Sequence, residues 1–482
     1  ALKVSIFHGA IMKSVSKDVI NHLPDELLCH ILSFLTTKEA ASTSILSRRW
    51  RNLLAFVPNL EFDDSVFLHR DKRVKNPLHE AGLFGFVYMV KNKRLKLSTS
   101  FVDFVDRILD LQGNSALDKF SLKVVDHHDP VDKDSVIRWI RKVLVRGLSD
   151  LRLVVDLKDW SSRLPKKIFL SETLVKLTLQ IRDGPCINVK NVHLPKLKTL
   201  YLKSVMFDDW EVGFSKLLSG CYILEELVLD HIWSCLWDSC PVSVWTLKRL
   251  TSCCKNVKFW DPHCESPNSA SFDTPNLVYL EYSEAIATTY TKVNFDSLVE
   301  AKIDIWMTED QIEAVGFVDN EENYMVGNAT AFIVGISNVR VLHLSSNSLE
   351  VLTYCCKPIP VFNNLTHLTI ESNPKVGLKP LPKLLKNSPK LETLVFQELL
   401  HIDTEKEEDV AISSSSVKVL KIFISDAEKI EKKIEKVKHF LETMPNVQQL
   451  VLYYGVKVSS QLQMLSRLAS PKCKIHLIPS NL

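Results

Sequence analysis

The sequence predicts an α/β chain in which a small three-helix unit precedes an irregular solenoid whose strands form a curved parallel sheet. Three observations carry that prediction. A Leu-x-x-Leu-x-Leu unit recurs along most of the chain. Residues 17–64 hold more apolar surface than so short a segment buries by itself. Hydrophobic residues make up 46% of the 482 and charged residues 24%, which fits a packed chain rather than a disordered one.

The N-terminal unit is justified helix by helix. Asp25 and Glu26 directly follow Pro24, and carboxylates suit the positive end of a helix that proline opens. Leu27, Leu28, Ile31, Leu32 and Leu35 fall at i, i+1, i+4, i+5 and i+8, one broad apolar stripe. Thr36 and Glu39 have the spacing of a capping box, which starts a second helix. Ser47 caps a third helix that runs through Trp50 toward Pro58. Leu23, Pro24, Ile45, Leu46, Trp50, Leu53, Leu54 and Val57 add to the apolar total. Such surface is built either to dock on another protein or to pack on the rest of the chain.

The run Leu23-Pro24-Asp25-Glu26-Leu27-Leu28, the pair Ile31-Leu32 and the run Ser47-Arg48-Arg49-Trp50-Arg51 closely resemble an F-box. The resemblance runs without a gap from residue 17 to 57. It implies docking to the Skp-type adaptor of cullin–RING ubiquitin ligases. It further implies that Leu23, Pro24, Leu27, Leu28, Ile31, Leu32, Leu35, Leu46 and Trp50 contact or support the adaptor face. Each leucine buried in that interface would stabilise it by roughly 1.5–3 kcal/mol.

Residues 1–16 read as an N-terminal extension, 17–64 as the F-box and 65–116 as a bridging segment. The bridge holds two basic clusters, Arg70–Lys75 and Lys91–Lys96. They read as a solvated loop or exposed helix face, with a nuclear-import signal as the alternative. Phe101–Leu109 has helical periodicity, and so does Asp134–Arg146 through Val136, Ile137, Ile140, Val143 and Leu144.

The repeats occupy residues 117–400. Clear copies of the unit begin at Leu148, Leu174, Leu197, Leu224, Leu277, Val339, Leu365, Leu391, Val417 and Val447, with weaker ones at Leu117, Leu247 and Leu298. The steps from Val339 to Leu365, Leu391 and Val417 are 26 residues each. This is the pattern of leucine-rich repeats, about twelve or thirteen units here. Each unit supplies one short strand whose alternate residues point inward, and it closes a core only by stacking on its neighbours. The segments between strands carry the outer face, with Phe214–Cys221 and Leu381–Ser388 as short helices. Thr308–Asn323, polar and acidic, reads as a loop inside the widest step.

After a polar loop at His401–Ser416 come a strand at Val417–Ile424 and a helix at Asp426–Leu441. The helix places Ile430, Ile434, Val437 and Leu441 on one face, with a Glu428–Lys432 pair on the exposed side. A strand at Met444–Tyr454, the segment Leu462–Leu468 and the run Pro471–Ile478 close the chain. This C-terminal stretch, 401–482, is similar to the FBD domain. Together with the F-box and repeats, it makes residues 13–478 resemble a plant F-box/FBD/LRR-repeat protein.

Composition removes several function classes. Sixty basic residues against 57 acidic ones leave a net charge of +3, no footprint for nucleic acid. The longest apolar run, Leu83–Val90, is far too short to span a bilayer. No charged start followed by an apolar run reads as a secretory signal. Residence in the nucleus, the cytoplasm or both is expected. The 11 cysteines show no framework and read as reduced thiols. His231, Cys235, Cys240, Cys253, Cys254, His263 and Cys264 cluster without the C-x2-C pairs of zinc sites. Buried structural cysteines are expected there, with a metal site as the alternative. No cofactor is expected. The chain has no Gly-x-Gly-x-x-Gly, P-loop, Gly-x-Ser-x-Gly or His-Glu-x-x-His, so an enzyme is not expected.

The resemblance implies a non-catalytic, substrate-recognition subunit of a Skp–cullin–F-box ubiquitin ligase. Its partners would be the Skp-type adaptor, a cullin and a RING protein through that adaptor, and a target held by the repeats. Target contacts would come from the second and fourth residues after each opening leucine. These include Thr199, Tyr201, Glu226, Val228, Tyr279, Glu281, Val341, His343, His367, Thr369, Thr393, Val395, Gln449 and Val451. The rival readings are a repeat scaffold that acts without ubiquitin transfer and a small-molecule co-receptor. Apart from the two basic clusters of the bridge, the chain shows no concentrated Arg/Lys cluster to favour an anionic ligand.

Overall fold

A computed structural model describes residues 20–44, 47–66, 101–125, 131–157, 164–182, 187, 189–207, 210–231, 241–254, 268–316, 327–372, 376–398, 416–424, 430–455 and 473–479. It divides into two compact units, Ala1–Ser121 and Leu122–Leu482.

The first unit opens with α1 (Asp25–Leu32), α2 (Thr37–Thr43) and α3 (Arg48–Leu53). Their starts follow local chemistry. Pro24 precedes α1 in an extended conformation. The Thr36 hydroxyl accepts from the Glu39 N–H at 3.3 Å, and the Glu39 carboxylate accepts from the Thr36 N–H at 3.0 Å. That reciprocal pair satisfies two donors which the helix itself leaves free. The Ser47 hydroxyl accepts from the Trp50 N–H at 3.3 Å. A turn at Leu54–Phe56 leads to β1 (Asn59–Asp63), and α4 (Phe101–Gln112) packs onto that turn. Buried Gln112 donates through its side-chain amide to Val57 O at 2.9 Å and Leu54 O at 3.4 Å. Phe62 meets Phe104 edge-on at 5.8 Å. Part of the surplus apolar surface is therefore covered within the unit, by a helix about 40 residues further along the chain.

The boundary between the units falls inside β2 (Lys119–Val125). Beyond it lie α5 (Lys133–Leu144), β3 (Asp150–Asp156), β4 (Lys176–Arg182), β5 (Thr199–Lys203), α6 (Trp210–Ser219) and β6 (Glu226–Asp230). Next come β7 (Val242–Ser243), β8 (Arg249–Cys253), β9 (Ser269–Asp273), β10 (Tyr279–Ala285), β11 (Thr289–Asn294) and β12 (Glu300–Trp306). They are followed by α7 (Glu309–Gly316), α8 (Thr330–Gly335), β13 (Val341–Leu344), α9 (Ser346–Tyr354), β14 (His367–Glu371), α10 (Leu381–Lys386) and β15 (Thr393–Glu398). Last are β16 (Val419–Ile424), α11 (Ile430–Thr443), β17 (Gln449–Tyr454) and β18 (Lys474–Pro479).

Every copy of the sequence unit forms a strand that starts two residues after its opening hydrophobe. The strands pair in parallel and in register. Leu151, Leu177, Leu200, Leu227, Leu250 and Leu280 lie side by side, and the row continues through Ala301, Leu342, Leu368, Leu394, Leu420 and Leu450. All are fully buried. The turns before the strands form their own ladder: Lys198 N–H donates to Val175 O, Glu225 N–H to Lys198 O and Lys248 N–H to Glu225 O, each at 2.8 Å. Backbone groups that a turn would strand are thereby satisfied by the next repeat. The strands of the expected FBD segment, β16 to β18, continue this same sheet.

The weak copy at Leu247 has a physical explanation. Its third hydrophobe is replaced by Ser252, which lies between Leu229 and Tyr282 in the inward row. The buried Ser252 hydroxyl donates to the buried Glu284 carboxylate at 2.6 Å, so a hydrogen bond replaces apolar packing.

Three features depart from the sequence reading. Thr308–Asn323 is not all loop, because α7 fills its first half. Thr308 N–H donates to the Gln311 side chain at 3.0 Å, and the Gln311 N–H donates to the Thr308 hydroxyl at 3.4 Å, a capping box. A second sheet, in the order β11-β9-β7, forms part of the outer layer. Its Ala270 and Phe272 alternate inward with period two, and Phe272 packs among Tyr282, Phe295 and Phe332. Finally, α11 buries Ile430 and Val437 as expected, but Lys433 and Phe440 join them while Ile434 and Leu441 are only half-buried. The Phe440 ring stacks on Phe396 at 5.1 Å, which turns the helix toward it. No described helix is long and apolar enough to cross a membrane.

Candidate protein-interaction surfaces

The broad stripe on α1 separates into two rows. Leu28 and Leu32, four residues apart, are fully buried beneath the helix. Leu27 and Ile31, also four apart, are 50% and 42% exposed, and Leu35 is 37% exposed. Pro24 is exposed and Leu23 half-buried. Trp50 is buried, so of the residues expected at an adaptor face, Leu28, Leu32 and Trp50 are placed to support it and not to touch a partner. Leu46 lies outside the described residues, as do Ile45, residues 1–16 and both basic clusters.

The open row extends past the residues singled out from the sequence. Phe34 is 76% exposed and Ile20 55%. Phe34 follows Ile31 at i+3, so the helical spacing that selected Leu27 and Ile31 carries the signal for it too. Its ring meets His30 edge-on at 4.8 Å. Arg49 fixes the start of this face: its Nε donates to the Asp25 carboxylate at 2.8 Å and its Nη2 to Leu23 O at 2.5 Å. The Leu23–Pro24 turn is thereby tied to α3.

In the second unit, the second and fourth positions after each opening leucine form two rows on the face of the sheet opposite the leucine ladder. The first runs Thr199, Glu226, Arg249, Tyr279, Glu300, Val341, His367, Thr393, Val419 and Gln449. The second runs Tyr201, Val228, Thr251, Glu281, Lys302, His343, Thr369, Val395, Lys421 and Val451. Thr199, Tyr201, Glu226, Glu281, His343 and Gln449 are half-buried, and His367 is exposed. Tyr279, Thr369, Thr393 and Val451 are buried.

Neighbouring side chains close Tyr279 off. The Arg249 guanidinium lies 4.0 Å over its ring and the Lys302 ammonium 5.5 Å over it, while its hydroxyl donates to Glu281 at 2.8 Å. Burial and the Glu281 hydrogen bond push the Tyr279 phenol up from its ordinary range. The Glu226 carboxylate lies 3.9 Å from Arg249. At the far end of β6, Asp230 accepts from Lys203 at 2.7 Å, from Tyr201 at 3.0 Å and from the His231 imidazole. Burial alone would raise the Asp230 carboxyl, but those three hydrogen bonds offset it and hold the group below the ordinary range. Burial, and then Asp230, pushes Tyr201 up to about 12. Burial also lowers the His343 imidazole, against the pull of Glu300.

Among the described residues, no group of three or more histidines, cysteines or carboxylates is placed to hold a metal ion. Of the sequence cluster, His231 sits against Asp230, Cys254 is buried and Cys253 half-buried; Cys235, Cys240, His263 and Cys264 lie outside the described residues. Burial pushes the thiols of Cys221 and Cys355 up to about 12, which keeps them protonated and unreactive at neutral pH.

Comparison with known sequences follows the same division. A family model for the F-box domain matches residues 20–61. A second, described as "FBD-associated F-box protein At5g56370, LRR repeats", matches residues 136–297. The chain is 74% identical over 472 residues to the putative F-box/LRR-repeat protein At3g59170 of Arabidopsis thaliana, covering 97% of this chain and 99% of that one. It is 72% identical to the putative F-box/LRR-repeat protein At3g59160 of the same organism, covering 97% and 98%. Against the F-box/LRR-repeat protein At4g14096, also from Arabidopsis thaliana, identity is 50% over 487 residues, covering 97% and 96%.

Proposed function

Because this chain belongs to the plant F-box/LRR-repeat family, we propose that it is the substrate-recognition subunit of a Skp–cullin–F-box ubiquitin ligase. The observation that carries the reading is the open apolar row of Leu27, Ile31, Phe34 and Leu35, which lies beside the fully buried pair Leu28 and Leu32. Water-exposed leucine, isoleucine and phenylalanine in one contiguous row mark a binding site. The Skp-type adaptor would cover them, and the adaptor would bring a cullin and a RING protein. The outward rows of the repeat sheet would hold the target.

In this reading the chain performs no bond chemistry. Holding a target lysine beside a charged ubiquitin-conjugating enzyme raises its effective concentration, and that proximity is the catalytic contribution. The test is a pull-down of the full chain with a purified Skp-type adaptor, beside Leu27→Ala/Ile31→Ala/Phe34→Ala. Each of these truncations removes about 1–2 kcal/mol or more of interface energy if the row is the contact. Binding lost in the triple variant, with the circular-dichroism spectrum retained, is the expected result. Failure of the folded, unmutated chain to bind would sink the ligase role and leave a scaffold that works through its repeats alone.

A further inference from the structure

Strands β16, β17 and β18 present a grid of outward side chains that sets basic groups beside a stacked ring pair. Register places Val419, Gln449 and Lys474 in the first row. Lys421, Val451 and His476 form the second, and Phe423, Tyr453 and Ile478 the third. The Phe423 and Tyr453 rings stack at 4.3 Å, only 8° from parallel. Lys474, His476 and Ile478 are exposed, and Lys421 is half-buried.

Charge pairing separates these strands from β5 to β12. In β5 to β12 each lysine or arginine of the outward rows has an anion or a ring beside it: Lys203 has Asp230, Arg249 has Glu226 and Tyr279, and Lys302 has Tyr279. The strands β16 to β18 contain no aspartate or glutamate. Among the described residues, Lys421 and Lys474 have no carboxylate within salt-bridge distance, whereas Lys418, at the start of β16, is neutralised by Glu392 at 2.9 Å. Lysines with no carboxylate beside them among the described residues, set next to an aromatic and aliphatic row, complement an acidic partner.

We propose that this grid is a subsite for an acidic segment of a protein, one that carries an apolar side chain beside its carboxylates. The proposal rests on the reading that the outward face of the repeats holds a target, and it names that target's chemistry. Lys421 and Lys474 face the carboxylates, with His476 beside them. The apolar side chain lies against Tyr453 and Ile478. The aliphatic positions Val419 and Ile478 favour a peptide over a nucleic acid. So does the ring pair, which is closed on itself and leaves no slot for a base.

The experiment selects a random dodecapeptide display library on the full chain, and in parallel on Lys421→Glu/Lys474→Glu. Selected peptides should be enriched in Asp or Glu flanking Leu, Ile or Phe. The reversed-charge variant should lose at least tenfold in affinity for them, and Asn/Gln replacements in the peptide should cost as much. Lys474→Gln alone, which removes charge without reversing it, should weaken binding severalfold at an unchanged melting temperature. Neutral or basic peptides, no enrichment, equal affinity for the variant, or tighter binding of an oligonucleotide at physiological salt would each overturn the subsite. Adaptor pull-down on the same preparations separates the two readings. Adaptor binding without acidic-peptide binding overturns the subsite alone, while acidic-peptide binding without adaptor binding upholds it and overturns the ligase role.

Discussion

Leu27 and Leu32 differ by five positions in one helix and have opposite jobs. Leu32 is fully buried, so Leu32→Ala should cost about 2–5 kcal/mol of stability by leaving a cavity. Leu27 is half-exposed, so Leu27→Ala should shift the melting temperature little yet weaken adaptor binding at least tenfold. Thermal unfolding and a binding titration on both variants check this; equal losses of stability would sink the division. At His343, burial favours the neutral imidazole, so its folded pKa lies below its unfolded one. No cost arises above the ordinary histidine range of about 6.5. As pH falls through that range, the unfolded chain takes up the proton first and stability drops, until the folded imidazole also protonates. His343→Gln should therefore lose less melting temperature than the parent between neutral pH and about pH 5. Identical pH profiles for the two proteins would refute that account.

At the scale of elements, the hidden dependence is α4. Phe104 and Gln112 complete the core beneath β1 and the turn that follows α3, so Phe104→Ala should destabilise the first unit by about 3–5 kcal/mol despite lying outside the F-box match. Unchanged hydrogen exchange in α3 would count against it. Much of this layer was legible in the sequence. The Thr36/Glu39 box, the Ser47 cap and the strand after every leucine unit follow from short-range rules that act within a few residues. What stayed hidden depends on distant contacts. The Thr308/Gln311 box was there to be read, but the acidic composition around it pointed to a loop. The rotation of α11 is set by Phe396, and the β11-β9-β7 sheet by an aromatic cluster assembled from separate repeats. Among surface residues, Phe34 followed the helical spacing, whereas the closing of Tyr279 by Arg249 and Lys302 required strand register.

At the scale of the whole repeat unit, each strand of the large sheet pairs only with the strands next to it, and stability should be correspondingly local. Leu368 sits at the middle of three adjacent strands, between Leu342 and Leu394, and is fully buried. Leu368→Ala removes packing from both sides and should cost about 2–5 kcal/mol. In a compact two-state domain that loss would lower protection everywhere by the same factor. In a stack it should fall first on the repeats that share the lost contacts. Native-state hydrogen exchange, resolved by peptide, should therefore quicken most in β13 to β15 and least in β3 to β5. A uniform increase across the sheet would mean that the repeats unfold together, so that a change in one repeat would be felt at every position of the outward face.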